Sequence, residues 1–304
     1  MPSYLISGLH VSSELELPGA IPKPSQAAAT DISIRRGPVP AALDGATASG
    51  PTWEMTGETF LLRVPRLARF RITAGRDVAV ETEPGVTDRD AAGFVLGAAF
   101  CILLYQRGAL VVHGAAVAKD GRAVAICGAS GAGKSTLAAA LCRGGCAFVA
   151  DDICVIDLDA SRHPMVLPDG RQLKLWKESI NWLDCAQLRG EAVRESFEKY
   201  YIDPFDARRA QPSPLSAIYV LREARPRLKA GIERLTLPDA MRTLDYEAYR
   251  PGLRAKIGQK PEMFAHAAAM LGHAKMFLLF APRGFEHLRE TITELRAHWD
   301  SLDR

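Results

Sequence analysis

A chain of 304 residues has room for one large or two ordinary domains and for a sizeable core. Its hydrophobic fraction of 48% and charged fraction of 24% are those of an ordinary globular protein. A net charge of +3 is too weak to argue for a nucleic-acid partner or an anionic membrane surface, so neither is expected.

The opening residues show no basic stretch followed by an apolar core, so a secretory signal is not expected. Residues 1–86 form a β-rich N-terminal region. Tyr4–Ile6, Ile32–Ile34, Phe60–Val64, Phe70–Ile72 and Val78–Glu81 are strand candidates separated by proline and glycine, and Ala41–Pro51 reads as a small-residue loop. Arg63, Arg66, Arg69, Arg71 and Arg76 make a basic stretch that could receive an acidic peptide. Their alternation with apolar residues reads better as a solvated strand face.

Thr87 or Asp88 can cap a helix running from Asp90 to Gln106. Its apolar run, Ala91–Tyr105, is shorter than the roughly 18 residues a membrane span needs, so it reads as a buried helix. Ala109–Val112 is a strand that delivers His113-Gly114. A second strand, Ala115–Ala118, turns at Asp120-Gly121 into a third, Arg122–Cys127.

Gly128 to Ser135 then satisfies G-x-x-x-x-G-K-[ST], followed by Ala- and Leu-rich helix formers from Thr136 to Cys142. A strand feeding a glycine-rich turn that opens a helix is the setting in which this motif cradles phosphates on backbone amides. The cradle comprises Gly128, Ser130, Gly131, Ala132, Gly133, Lys134, Ser135 and Thr136. Lys134 should meet the β- and γ-phosphates, and the Ser135 hydroxyl should ligate Mg²⁺, which makes ATP and Mg²⁺ the expected cofactors. A buried strand, Cys146–Ala150, ends in Asp151-Asp152, where an α/β sheet places its ligand. One carboxylate can hold the metal or its water shell while the other accepts the proton of an attacking hydroxyl.

Ile153–Leu158 continues as strand, Leu167–Gly170 turns, and Gln172–Lys177 leads into a helix through Leu188. Ala217–Leu221 and Ile232–Leu235 are further strands. The C-terminal part is mostly helical: Pro238–Tyr249 and Pro261–Leu271 are helices, Lys275–Phe280 is a strand, and Phe285–Trp299 is a final helix. That helix carries Phe285, Leu288, Ile292, Leu295 and Trp299 on one face, which is core packing. The six cysteines (Cys101, Cys127, Cys142, Cys146, Cys154 and Cys185) sit mostly in apolar runs without a C-x-x-C pair. They read as reduced, buried residues of a cytoplasmic protein.

His113-Gly114, the loop GASGAGKST and the run Phe148–Asp152 together resemble the catalytic core of bacterial HPr serine kinase/phosphorylase, closely over residues 109–158. The resemblance implies an α/β fold with an HPr-kinase-like P-loop core over residues 87–304. The implied activity is transfer of the γ-phosphate of ATP to a serine hydroxyl of a peptide or small protein. His113 matches the family histidine that contacts the reactive phosphate, Asp151 the general base, and Asp152 its neighbour that supports metal and base. Lys134 completes the implied catalytic set, with Ser135 and Asp152 at the metal and a homo-oligomer as the assembly. The family's downstream Glu-x-Arg-Gly-x-Gly signature is missing from the comparable stretch, Leu167–Lys177, which puts phosphorylase activity and HPr as substrate in doubt. Leu173–Lys177 instead resembles homologues found with ribosomal peptide gene clusters. These include lasso peptide kinases, which phosphorylate a precursor's C-terminal serine. Lys174 or Lys177 could then bind phosphate or a peptide carboxylate, and Arg250 or Arg254 could be a transition-state arginine. The alternatives are a nucleotide-gated binding protein without transfer activity and a small-molecule kinase.

Overall fold

The computed structural model describes residues 1–23, 29–194, 197–203, 211–226, 228–257 and 261–302 of a mixed α/β protein. Part of the proline-broken stretch before Pro214, residues 204–210, lies outside the described residues.

The N-terminal strands are β1 (Ser3–Ile6), β2 (Leu9–Ser13), β3 (Pro22–Lys23), β4 (Ile32–Arg36), β5 (Ala48–Gly50), β6 (Trp53–Thr56), β7 (Thr59–Val64), β8 (Ala68–Thr73) and β9 (Asp77–Thr82). They form one sheet in the order β3-β1-β2-β4-β9-β8-β7-β6-β5. β8 shows why these residues make a half-buried strand: Ala68, Phe70 and Ile72 face the core while Arg69 and Arg71 point away. Arg69 pairs with Glu81 and Arg63 with Glu54, so these two arginines of the basic stretch are held by acids of neighbouring strands. The expected loop at Ala41–Pro51 is corrected at its end, where β5 pairs with β6.

α1 (Asp88–Phe94), a π-helical turn at Val95–Ala99 and α2 (Phe100–Gln106) form the buried helix. Thr87 caps it, exchanging hydrogen bonds with Asp90 in a capping box. α2 is apolar on all sides and buried from Phe100 to Tyr105, so it sits inside the protein with the N-terminal sheet wrapped on it.

The central sheet contains β10 (Leu110–Lys119), β11 (Arg122–Gly128), β12 (Ala147–Leu158), β13 (Pro164–Val166), β17 (Ser213–Glu223), β18 (Gly231–Arg234) and β19 (Lys275–Ala281). Its order is β11-β10-β12-β13-β17-β19-β18, and β11 also pairs in parallel with β17, closing a circuit of strands. Between β13 and β17, the short strands β14 (Leu173–Trp176), β15 (Arg189–Ala192) and β16 (Lys199–Ile202) make a separate sheet. One face of the central sheet packs on α3 (Lys134–Arg143) and α8 (Leu288–Ser301) through Val117, Val124, Ile126 and Tyr219. The other face packs on α5 (Leu237–Tyr246) and α7 (Pro261–His273) through Ala116, Ala125, Ile218 and Val220. α4 (Lys177–Trp182) follows β14, and α6 (Pro251–Ile257) packs near α2.

Three expectations change here. The two strands expected on either side of His113 are one strand, β10. The two expected around Asp151-Asp152 are also one, β12, so the acids lie within a strand and not at its end. Asp152 adopts φ +75, a conformation Asp tolerates better than most residues, and pairing with β10 continues on both sides of it. The helix expected to reach Leu188 ends at Trp182, with a 3₁₀ turn at Ala186–Leu188.

Residues 167–172 join the N-terminal sheet to the rest. Gly8 N donates to Pro168 O at 2.9 Å, Gly170 N to Leu5 O at 2.9 Å, Gln172 N to Gly19 O at 2.6 Å and Ile21 N to Gly170 O at 2.9 Å. Arg171, paired with buried Asp169, donates to Leu96 O at 3.1 Å. A side chain at Gly170 would place its Cβ 2.1 Å from Leu5 O, so only glycine fits.

Candidate active site

The hairpin that precedes the loop turns at Asp120 (φ +51) and Gly121 (φ +80), both left-handed as a two-residue hairpin of this kind requires. β11 then runs into the loop, where Gly128 (φ +140), Gly131 (φ +78) and Gly133 (φ +96) supply backbone conformations that other residues resist. A Cβ on Gly128 would also lie 2.8 Å from Leu221 O of β17. α3 begins at Lys134 with Gly133 as its N-cap, so Ser130 to Thr136 lie at the positive end of the helix. Lys134 is buried and donates to Gly128 O at 2.8 Å and Ala129 O at 3.0 Å, curled over its own loop. Burial lowers its pKa.

Ser135 Oγ donates to Asp151 Oδ1 at 2.7 Å, which ties the first turn of α3 to β12. The other oxygen of Asp151 accepts the backbone N–H of Lys174 at 3.2 Å. Burial raises the Asp151 pKa, and Lys174 partly opposes the rise. Asp152 behaves oppositely. Burial works against its charge, but the Lys174 ammonium, 2.9 Å from Oδ2, outweighs that and holds the carboxyl well below the usual range.

His113 is brought beside the acids by the pairing of β10 with β12, in which Gly114 stands opposite Asp152. Its Nδ1 lies 3.1 Å from Asp152 O and 3.4 Å from Asp152 Oδ1. Donation to the carbonyl puts the proton on Nδ1 and leaves Nε2 with the lone pair. Burial, then the charge of Lys134, lowers its pKa, so the ring is neutral at neutral pH. Gly114 explains the residue pair: a Cβ there would come 2.6 Å from Ile126 O, so β11 can approach β10 only past a glycine.

The structure thus brings His113, Lys134, Ser135, Asp151 and Asp152 to one place. Lys174 joins them as the partner of Asp152, whereas Lys177 pairs with Glu198 away from the acids. Arg254 pairs with Asp245, and Arg250 lies over the ring of Tyr249, 5.9 Å from its centre. Sequence reasoning missed a second charged pair near the loop. Arg222, directly after Leu221, binds buried Glu247 at 2.7 Å, and Glu247 O accepts the backbone N–H of His113 at 2.8 Å. No local pattern links positions so far apart. Thr136 Oγ1 and Ser179 Oγ, 2.9 Å apart, likewise join α3 to α4.

A hydroxyl and two carboxylates are oxygen donors of the kind Mg²⁺ takes, since it completes its sphere with waters. Among the described residues no group of three or more His, Cys, Asp or Glu forms an all-protein metal cage. All six cysteines are buried thiols, and burial pushes those of Cys101 and Cys154 up to about 12. Among the described residues no helix is long and apolar enough to cross a membrane.

No family model matches the chain, and no curated protein matches it. Among solved structures it is similar to the HPr(Ser) kinase/phosphatase of Coxiella burnetii, with 14% identity and a TM-score of 0.35, over 64% of this chain and 99% of that one. A likeness of that size assigns nothing to this chain.

Proposed function

We propose that the protein is an ATP- and Mg²⁺-dependent kinase that phosphorylates a serine hydroxyl of a peptide or small protein. The lasso-type precursor with a C-terminal serine is the acceptor class we favour, on the strength of the Leu173–Lys177 run. One observation carries the kinase reading: the Ser135–Asp151 hydrogen bond, which sets the phosphate loop's helix against an acid pair whose first member is buried. A triphosphate on the loop would end there.

In the proposed step the serine oxygen attacks the γ-phosphorus as the bond to the β–γ bridging oxygen breaks. The hydroxyl proton passes to Asp151, and ADP departs. Phosphoryl transfer depends mainly on position and charge neutralisation. Lys134 and the loop amides would face the charge that develops on the leaving group. Asp151 already accepts from an alcohol, and burial raises its proton affinity, as suits a base. Asp152, kept ionised by Lys174, and Ser135 would hold Mg²⁺, which when bound neutralises phosphate charge. His113, anchored through Nδ1, would donate from Nε2 to the reacting phosphate after taking up a second proton, which the phosphate's negative charge favours.

Incubation with γ-labelled ATP and a peptide ending in serine should label the peptide. Asp151→Asn should abolish labelling while ATP still binds, and Lys134→Ala should weaken both. Wild-type transfer rates in both variants would show the roles to be misassigned.

A further inference from the structure

His113 stands where β10 changes neighbours. β11 pairs with β10 as far as Gly114, opposite Cys127, and then leaves it to become the phosphate loop. The edge of β10 beyond that point is taken by the residues directly after α5. His113 N donates to Glu247 O at 2.8 Å, Val112 bridges to Ala248, and Tyr249 N donates to Val111 O at 3.1 Å. Two separate segments thus flank one strand, the first running into the loop and the second holding the backbone of His113.

One side-chain pair ties these two segments together. β17 runs parallel to β11 with Leu221 opposite Gly128, so Arg222 lies one residue past the point where the loop begins. Its Nη1 donates to Leu221 O at 3.3 Å and its Nη2 to Glu247 Oε1 at 2.7 Å. A Cβ on Gly128 would lie 2.8 Å from the same Leu221 O, so the guanidinium is fastened beside the first residue of the loop at one end and to the partner of His113 at the other. The Glu247 side chain is 4% exposed and that of Arg222 30%. Taking a carboxylate out of water costs about as much as the ion pair returns, and the best-attested use of such a pair is to fix register. The register fixed here is that of His113 against the loop.

We propose that Glu247, held by Arg222, is a positioning residue that sets His113 at its distance from the phosphate loop. The proposal rests on the kinase reading above and adds to it the pair that aligns His113 for transfer. Phosphoryl transfer depends mainly on position, so a small displacement of His113 costs rate, while nucleotide affinity comes from the loop itself.

The test measures phosphorylation of a peptide ending in serine and, separately, ATP binding with Mg²⁺ by calorimetry, both on the full chain. Glu247→Ala strands no buried charge, because Arg222 reaches solvent, and Glu247→Gln keeps an oxygen for Arg222. Glu247→Ala should lower kcat about tenfold with the Kd of ATP unchanged, and Glu247→Gln should recover most of the rate. In a His113→Ala background Glu247→Ala should cost nothing further, because the residue it positions is gone. A full additional loss in that background assigns Glu247 a general structural role and overturns the proposal. An unchanged kcat in Glu247→Ala overturns it as well, and so does a loss of ATP affinity as large as the loss of rate. Failure of wild type to label the peptide while it binds ATP defeats the kinase reading itself, which tells the two failures apart.

Discussion

Asp151 and Asp152 are neighbours in sequence, yet their surroundings drive their proton affinities apart. Burial raises the first, and Lys174 depresses the second despite burial. The native state therefore holds a proton on Asp151 more tightly than the unfolded chain does. Wild type should lose stability as pH rises from the usual carboxylate range through the raised pKa of Asp151. Asp151→Asn keeps the shape, removes that buried charge, and can still accept the Lys174 N–H while Ser135 turns to accept in its place. The variant should melt at a higher temperature than wild type at neutral pH, with the gain fading below the usual carboxylate range. A gain that is absent at neutral pH in melting curves taken across that range would contradict the assignment. The loop residues were legible because the motif is contiguous and its chemistry local. The partnership of Lys174 with Asp152 was not, because it depends on β14 folding back beside β12.

Among the elements, the β10–β11 hairpin carries the most consequence, since its open end holds His113 on one strand and feeds the loop from the other. Gly114 sets how closely these two strands approach. Gly114→Ala would push its Cβ against Ile126 O and separate the strands, a backbone clash that side-chain rotation cannot relieve. We expect a loss of about 1–3 kcal/mol in chemical denaturation, accompanied by weaker ATP binding as Gly128 shifts. Elements with a clear period were readable from sequence: β7, β8, the buried helix, and α8 with its apolar face. β2, β5 and β6 escaped because LHVSS, ASG and WEMT are only three to five residues long and gain their pairing from neighbours. α6 escaped because it opens on Pro251-Gly252, which reads as a turn. β12 was divided in two because two adjacent acids look like a strand's end, whereas pairing with β10 runs through Asp152 and past it.

Across the molecule, the first core unites the N-terminal sheet with α2 and also takes in Val111, Ile153 and Val155 from β10 and β12. The same two strands carry His113 and the acid pair. Asp169 and Arg171 fasten this junction, both nearly fully buried. Removing one partner strands a charge, so Asp169→Ala should destabilise the whole chain by about 3–5 kcal/mol and shift a single cooperative melting transition. Two separate transitions would show instead that the halves unfold independently. The alternation of apolar residues could not reveal this junction, because its bonds run between backbone groups that any sequence possesses. The crossing between halves at residues 167–172 also bears on ancestry. A recombination event that exchanged the first eighty or so positions for a foreign module would have to deliver, at matching heights, replacements for Leu5, Gly8, Gly19 and Ile21. Few donors could, so the two segments should have been inherited as a unit.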